Sequence, residues 1–152
     1  MAERLAVPFV ELDALHWQPE WTPQDAIVFR SDVDGATAAE RWVVSGNYSQ
    51  IRDLTWGRAD TIVWLDLPFP VTLWRLTRRT VRRVATREEL WNGNRETFRA
   101  AFMSRDSLYI WLFRTHWAKR RRYERVIPEE YPHLTLIRIT SRRDVPALLA
   151  SL

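Results

Sequence analysis

The chain has 152 residues, 46% of them hydrophobic and 28% charged, with a formal net charge of +4 and no cysteine. That length fits one domain able to bury a core. The composition excludes a disordered chain, and the missing cysteines exclude a disulfide framework and thiolate metal sites.

Apolar runs are short and flanked by charge, and Met1 to Pro8 lack the apolar stretch of a signal peptide. A soluble, cytoplasmic protein without a membrane partner is therefore expected.

In chain order, residues 2–6 read as the last turn of a helix. Phe9 to Leu12 predicts a short apolar strand, followed by a Trp/Pro loop over Asp13 to Trp21. Thr22-Pro23-Gln24-Asp25 is a helix start, with a Thr cap and an acidic residue in the first turn. Trp42 to Ser45 is a second strand, ending in Gly46-Asn47-Tyr48, and a short helix over 49–56 leads into a third, Thr61 to Asp66.

Pro68 and Pro70 open a helix to about Val84, and residues 86–95 form a polar, lid-like insertion containing Trp91-Asn92-Gly93-Asn94. Two helices over 95–103 and 106–127, a strand over Leu134 to Ile139, and a helix capped by Ser141 complete one domain over 1–152. Apolar strands alternating with helices predict an α/β fold with a parallel sheet. In such sheets ligands sit beyond the carboxyl ends of the strands. Here those ends carry Asp13, Ser45-Gly46-Asn47 and Asp66.

Basic charge is nearly all arginine, concentrated at Arg75 to Arg87 and at Lys119 to Arg125. Guanidinium forks match phosphate oxygens, which suits a polyphosphate ligand and a nucleic-acid backbone alike. The sequence has four glycines, at 35, 46, 57 and 93, and its only lysine is Lys119. It therefore contains no G-x-x-x-x-G-K-[ST] phosphate loop.

Four segments together carry a resemblance: Leu12-Asp-Ala-Leu-His-Trp17 with Trp21, Trp42-Val-Val-Ser-Gly-Asn-Tyr48, Ala59 to Pro68, and Glu89-Leu-Trp-Asn-Gly-Asn-Arg95. Along its whole length the chain resembles the adenylate-kinase-like P-loop proteins often labelled DNA topology modulation proteins. The resemblance implies a parallel-sheet, three-layer nucleotide-kinase-like fold lacking its first, central strand. It also implies phosphoryl transfer from ATP, with Mg²⁺, to a nucleotide or other small acceptor, weak or absent here without the Walker A loop.

Residue by residue, the resemblance places Arg75 on the adenine and Arg79 on the phosphates, with Arg95 as a lid arginine. Arg79, Arg95 and Asp66 become the catalytic candidates. Asp13, His16, Trp17, Gly46, Asn47, Tyr48 and Arg52 form the acceptor side. Ser45, where the family usually has an acidic residue, and Asp66 are the candidates to hold Mg²⁺ through water.

Loss of the central strand leaves strands 42–45 and 61–66 without a shared partner. They then pair directly, accept a strand from another chain, or belong to a product that starts upstream. Met1 falling inside a helix favours the last.

Plainer readings stand beside these. Asp66 suits a cap of the following turn, Arg75 and Arg79 a solvated helix face, and Lys119 to Arg122 a solvated helix end. The three histidines are far apart in sequence, which disfavours zinc. The alternative functions are an arginine-rich nucleic-acid binder with Trp17 or Trp21 stacking on bases, and a non-catalytic interaction module.

Overall fold

The computed structural model describes residues 1–103 and 108–150. Strands β1 (Phe9–Glu11), β4 (Val43–Ser45), β5 (Thr61–Leu65) and β6 (Thr135–Ile139) correspond to the four expected from the apolar runs. Strands β2 (Trp17–Gln18) and β3 (Thr22–Pro23) form a small antiparallel hairpin inside the Trp/Pro loop. The helices are α1 (Ala2–Leu5), α2 (Leu12–His16), α3 (Ala26–Ala36), α4 (Arg52–Arg58), α5 (Phe69–Thr86), α6 (Phe98–Met103), α7 (Leu108–Glu130) and α8 (Asp144–Ala150).

The protein is thus α/β, with parallel pairing in two separate places. β1 pairs with β4 from Phe9↔Val43 to Glu11↔Ser45, and β5 pairs with β6 from Thr61↔Thr135 to Leu65↔Ile139. β4 and β5 belong to different sheets. Direct closure of these two strands, one of the three outcomes expected above, does not occur.

The packing is split in the same way. Val10, Leu12, Phe29, Val33, Ile51 and Leu54 form one buried cluster, with Val44 of β4 packed against it. Trp56, Val126 and Ile127 form another, covered by Ile62 of β5 and Leu136 of β6. Helix α4 joins them, because Leu54 lies in the first and Trp56 in the second.

Several boundaries differ from expectation for local reasons. Asp25, not Thr22, caps α3: its Oδ1 accepts from the Ile27 and Val28 amides at 2.9 and 3.2 Å, while Thr22 and Pro23 are taken into the hairpin. Asp13 to His16 coil into α2 instead of a loop. Helix α7 runs to Glu130, so Lys119 to Arg122 lie in mid-helix and not at its end. The first two residues of the helix expected over 106–127 lie outside the described residues. At α8 the capping is shared, since Asp144 accepts from the Ser141 amide at 2.8 Å and Ser141 Oγ accepts from the Arg143 amide at 3.2 Å.

Candidate functional site

The turn after β4 begins with Gly46 at φ +115°. A Cβ there would lie 2.9 Å from the Leu12 Cβ, so the turn packs against the start of α2 only as glycine. That approach brings Tyr48 onto α2, where its hydroxyl donates to Asp13 Oδ1 at 2.6 Å. The His16 ring lies 4.5 Å from the Tyr48 ring, 4.8 Å from Trp17 and 5.0 Å from Phe29. Burial lowers the His16 pKa and Asp13 partly offsets it. Burial, and then Asp13, push the Tyr48 phenol up. Asp13, His16, Trp17, Gly46 and Tyr48, all assigned to the acceptor side, therefore form one cluster at the carboxyl ends of β1 and β4.

The 86–95 segment docks on α2 and the hairpin beside this cluster, meeting it at Trp17. Glu89 and Arg95 bridge its base, and the Leu90 amide donates to the Asn94 carbonyl at 2.7 Å. Asn94 is buried, 4% exposed. Its Oδ1 accepts from the Trp21 amide at 2.8 Å, and its Nδ2 donates to the Gln18 and Trp91 carbonyls at 2.9 and 2.8 Å.

Asn92 donates to the Trp17 carbonyl at 2.6 Å, and Trp91 Nε1 donates to Glu11 at 2.9 Å. Trp17, Trp21 and Trp91 meet edge to face. Trp17 and Trp21 are thus half-buried beneath this segment rather than open for a base. Asn92 and Asn94 as clasps were missed in the sequence, although Trp91-Asn-Gly-Asn94 marked the place.

A second group forms around Asn47. Its amide nitrogen donates to Tyr123 of α7, and its Oδ1 accepts from Arg52 Nε at 3.2 Å. Arg52 lies 4.6 Å above the Trp56 ring, and Tyr123 packs on both Trp56 and Trp64. No sequence signal linked Tyr123 to Asn47, because they meet only through the packing of α7.

The phosphate-side candidates are dispersed. Arg75 and Arg79 are exposed on the outer face of α5 and form no ion pair among the described residues. Arg95 is exposed and pairs with Glu89 at 3.3 Å. Arg83, within the Arg75 to Arg87 run, is not solvated: it ties α5 to the segment after the lid-like loop through Glu96 at 3.1 Å, with side chains 16% and 10% exposed.

Asp66 is buried at the end of β5. Its Oδ2 is held by Arg138 of β6, and Arg120 of α7 lies 3.4 Å away. Ser45 is exposed at the end of β4. A carboxylate already facing two guanidiniums is a poor ligand for a further cation. Among the described residues, no group of three or more acidic, histidine or cysteine side chains could hold a metal. The residues present do not fit a Mg²⁺ site.

No protein-family model, curated protein or solved structure matches this chain. The functional reading therefore rests on the geometry and on the motifs that led to it. Among the described residues no helix is long and apolar enough to cross a membrane.

Proposed function

We propose that this chain is the acceptor-binding and lid part of a nucleotide-kinase-like phosphotransferase. The observation that carries the reading is the docking of 86–95, through Asn92 and Asn94, on Trp17, Gln18 and Trp21, next to the Asp13–His16–Tyr48 cluster that Trp17 joins. A polar loop clasping an aromatic cluster at strand carboxyl ends suits a small ligand that must be shielded from water before group transfer.

Two further observations support it. Among the described residues β4 and β5 each pair on one side only, as they would on either side of a shared central strand in a three-layer sheet. The chain also exposes 10,485 Å², where a folded monomer of its mass exposes about 8,100 Å².

In this reading Asp13, His16, Trp17 and Tyr48 bind the acceptor. Arg75, Arg79 and Arg95 are phosphate ligands that converge when a phosphate loop and its nucleotide are present. Phosphoryl transfer of this kind is largely positioning and charge stabilisation, which arginines supply without proton transfer. ATP is the expected donor. No step is assigned to Mg²⁺, whose site these residues do not form.

The test compares the 152-residue chain with one extended at its N-terminus by a strand–G-x-x-x-x-G-K-[ST]–helix unit. Calorimetry should detect Mg-ATP binding only to the extended chain, and an extended chain that folds yet ignores ATP ends the kinase reading.

One observation favours a second reading. The outer face of α5 presents Trp74, Arg75, Arg78 and Arg79 to solvent, a combination of ring and cation that suits single-stranded nucleic acid. Retention on a DNA column that falls steeply with salt would support it, and no retention at low salt removes it.

A further inference from the structure

Helix α7 passes the carboxyl ends of both half-sheets. One turn before Tyr123, which is bonded to Asn47 after β4, lies Lys119, and residues four apart share a helix face. The next residue, Arg120, reaches Asp66 at the end of β5.

Four cations, Arg52, Lys119, Arg120 and Arg138, gather here with two carboxylates, Asp66 and Glu124. Both carboxylates are shared by Arg120 and Arg138. Arg52 and Lys119 have no carboxylate partner among the described residues. Each rests instead on an indole face: Arg52 at 4.6 Å from Trp56, and Lys119 Nζ at 3.8 Å from Trp111. A ring face attracts a cation but leaves its charge unneutralised.

We propose that Arg52 and Lys119 form an oxyanion-binding pair that takes a phosphate or pyrophosphate group at the carboxyl ends of β4 and β5. Arginine supplies a planar fork and lysine a point charge, a combination suited to tetrahedral oxyanions. Burial, and then the nearby Arg52 charge, hold the Lys119 pKa down to about 8, as befits two cations awaiting a shared anion. Asn47 fixes the direction of Arg52 through its 3.2 Å bond. The pair needs neither ATP nor a phosphate loop, so its failure and that of the kinase reading are separable.

Because Lys119 is the only lysine, pyridoxal 5′-phosphate meets a single side-chain amine, and peptide mass separates it from the α-amino group of the chain. The aldehyde condenses with the unprotonated amine, losing one water to give an imine. Borohydride then delivers hydride to the imine carbon while the nitrogen takes a proton from solvent, and peptide mass locates the resulting secondary amine.

The phosphate-bearing aldehyde should label Lys119 at least about tenfold faster than 5′-deoxypyridoxal, which lacks the phosphate and has no 5′-hydroxyl to mask its aldehyde, since a contact of about 1.4 kcal/mol is a factor of ten. Excess pyrophosphate should reduce the rate to that of 5′-deoxypyridoxal, and so should Arg52→Gln. Equal labelling by the two aldehydes, or no protection by pyrophosphate, overturns the proposal. If Arg52→Gln fails to fold by circular dichroism, pyrophosphate protection of the unaltered chain decides alone.

Discussion

The Tyr48 hydroxyl donates to Asp13 Oδ1 at 2.6 Å, tying the turn after β4 to α2 across two sequence-distant motifs. Replacing the hydroxyl with hydrogen leaves a half-buried carboxylate short of a donor. Tyr48→Phe is expected to cost about 1.5–3 kcal/mol, the range for hydrogen bonds to charged groups, read as a lower urea midpoint. Asp13→Asn keeps an acceptor oxygen and should cost less.

The same variant should alter the alkaline limb. The folded pKa of Tyr48 is raised above the unfolded value of about 10. Its contribution is therefore complete below that pH and is lost as pH rises toward the folded value. Tyr48→Phe should flatten this part of the stability profile.

Gly46 offers a contrast with another glycine. At φ +115° and 2.9 Å from Leu12 Cβ, alanine meets both backbone strain and a buried neighbour. Gly46→Ala should cost at least about 1–3 kcal/mol from the backbone alone. Gly57 lies within α4, where a Cβ meets nothing within 4 Å. Gly57→Ala should stabilise by about 0.5–1 kcal/mol. Thermal melts of the two variants should move in opposite directions, and a neutral Gly46→Ala would contradict the described turn.

The strands and the clustering of Asp13, Gly46 and Tyr48 at their ends were legible in the sequence because both depend on local pattern. Apolar runs ending in Asp13, Gly46 and Asp66 mark strand ends, and Tyr48 follows directly from its glycine. The commitments of the charges were not legible. Asp66 reads equally as cap or ligand until Arg138 and Arg120 arrive from segments over 50 residues away. Lys119 to Arg122 reads as a solvated end because the sequence does not show that α7 continues, or which of its faces meets Arg52. Asn94 looked like one polar residue among several, and only its docking on Gln18 and Trp21 reveals the clasp.

That clasp can be tested directly. Asn94 makes three hydrogen bonds from a buried position. Asn94→Ala leaves the Trp21 amide and the Gln18 carbonyl without this partner, at about 1–3 kcal/mol for each group that stays buried. The 86–95 segment should become the first site of limited proteolysis, and tryptophan fluorescence should shift to the red as Trp17, Trp21 and Trp91 gain water. Asn94→Asp keeps the acceptor but turns a carboxylate toward two carbonyls, so it should not rescue. Unchanged protease resistance in Asn94→Ala would show that the loop is held by its rings and by the Asn92 and Trp91 hydrogen bonds without Asn94.

Lys119 sets the sign of a pH effect in the opposite direction to Tyr48. Its folded pKa of about 8 lies below the unfolded value of about 10.4. Between those values the unfolded chain binds a proton that the folded chain does not, so stability rises with pH across that window. The charge that acts on it is Arg52 on α4, with Arg120, Glu124, Asp66 and Arg138 in the same cluster and Tyr123 one turn along α7. Lys119→Met removes the amine while keeping much of the apolar stem over Trp111. The difference in urea midpoint between the unaltered chain and this variant should therefore grow in favour of the unaltered chain from pH 8 to pH 10, other titrations cancelling between the two. Saturating pyrophosphate should move the onset upward, because a bound anion stabilises the ammonium form. A difference that stays flat with pH would mean that Lys119 is hydrated and charged like any surface lysine.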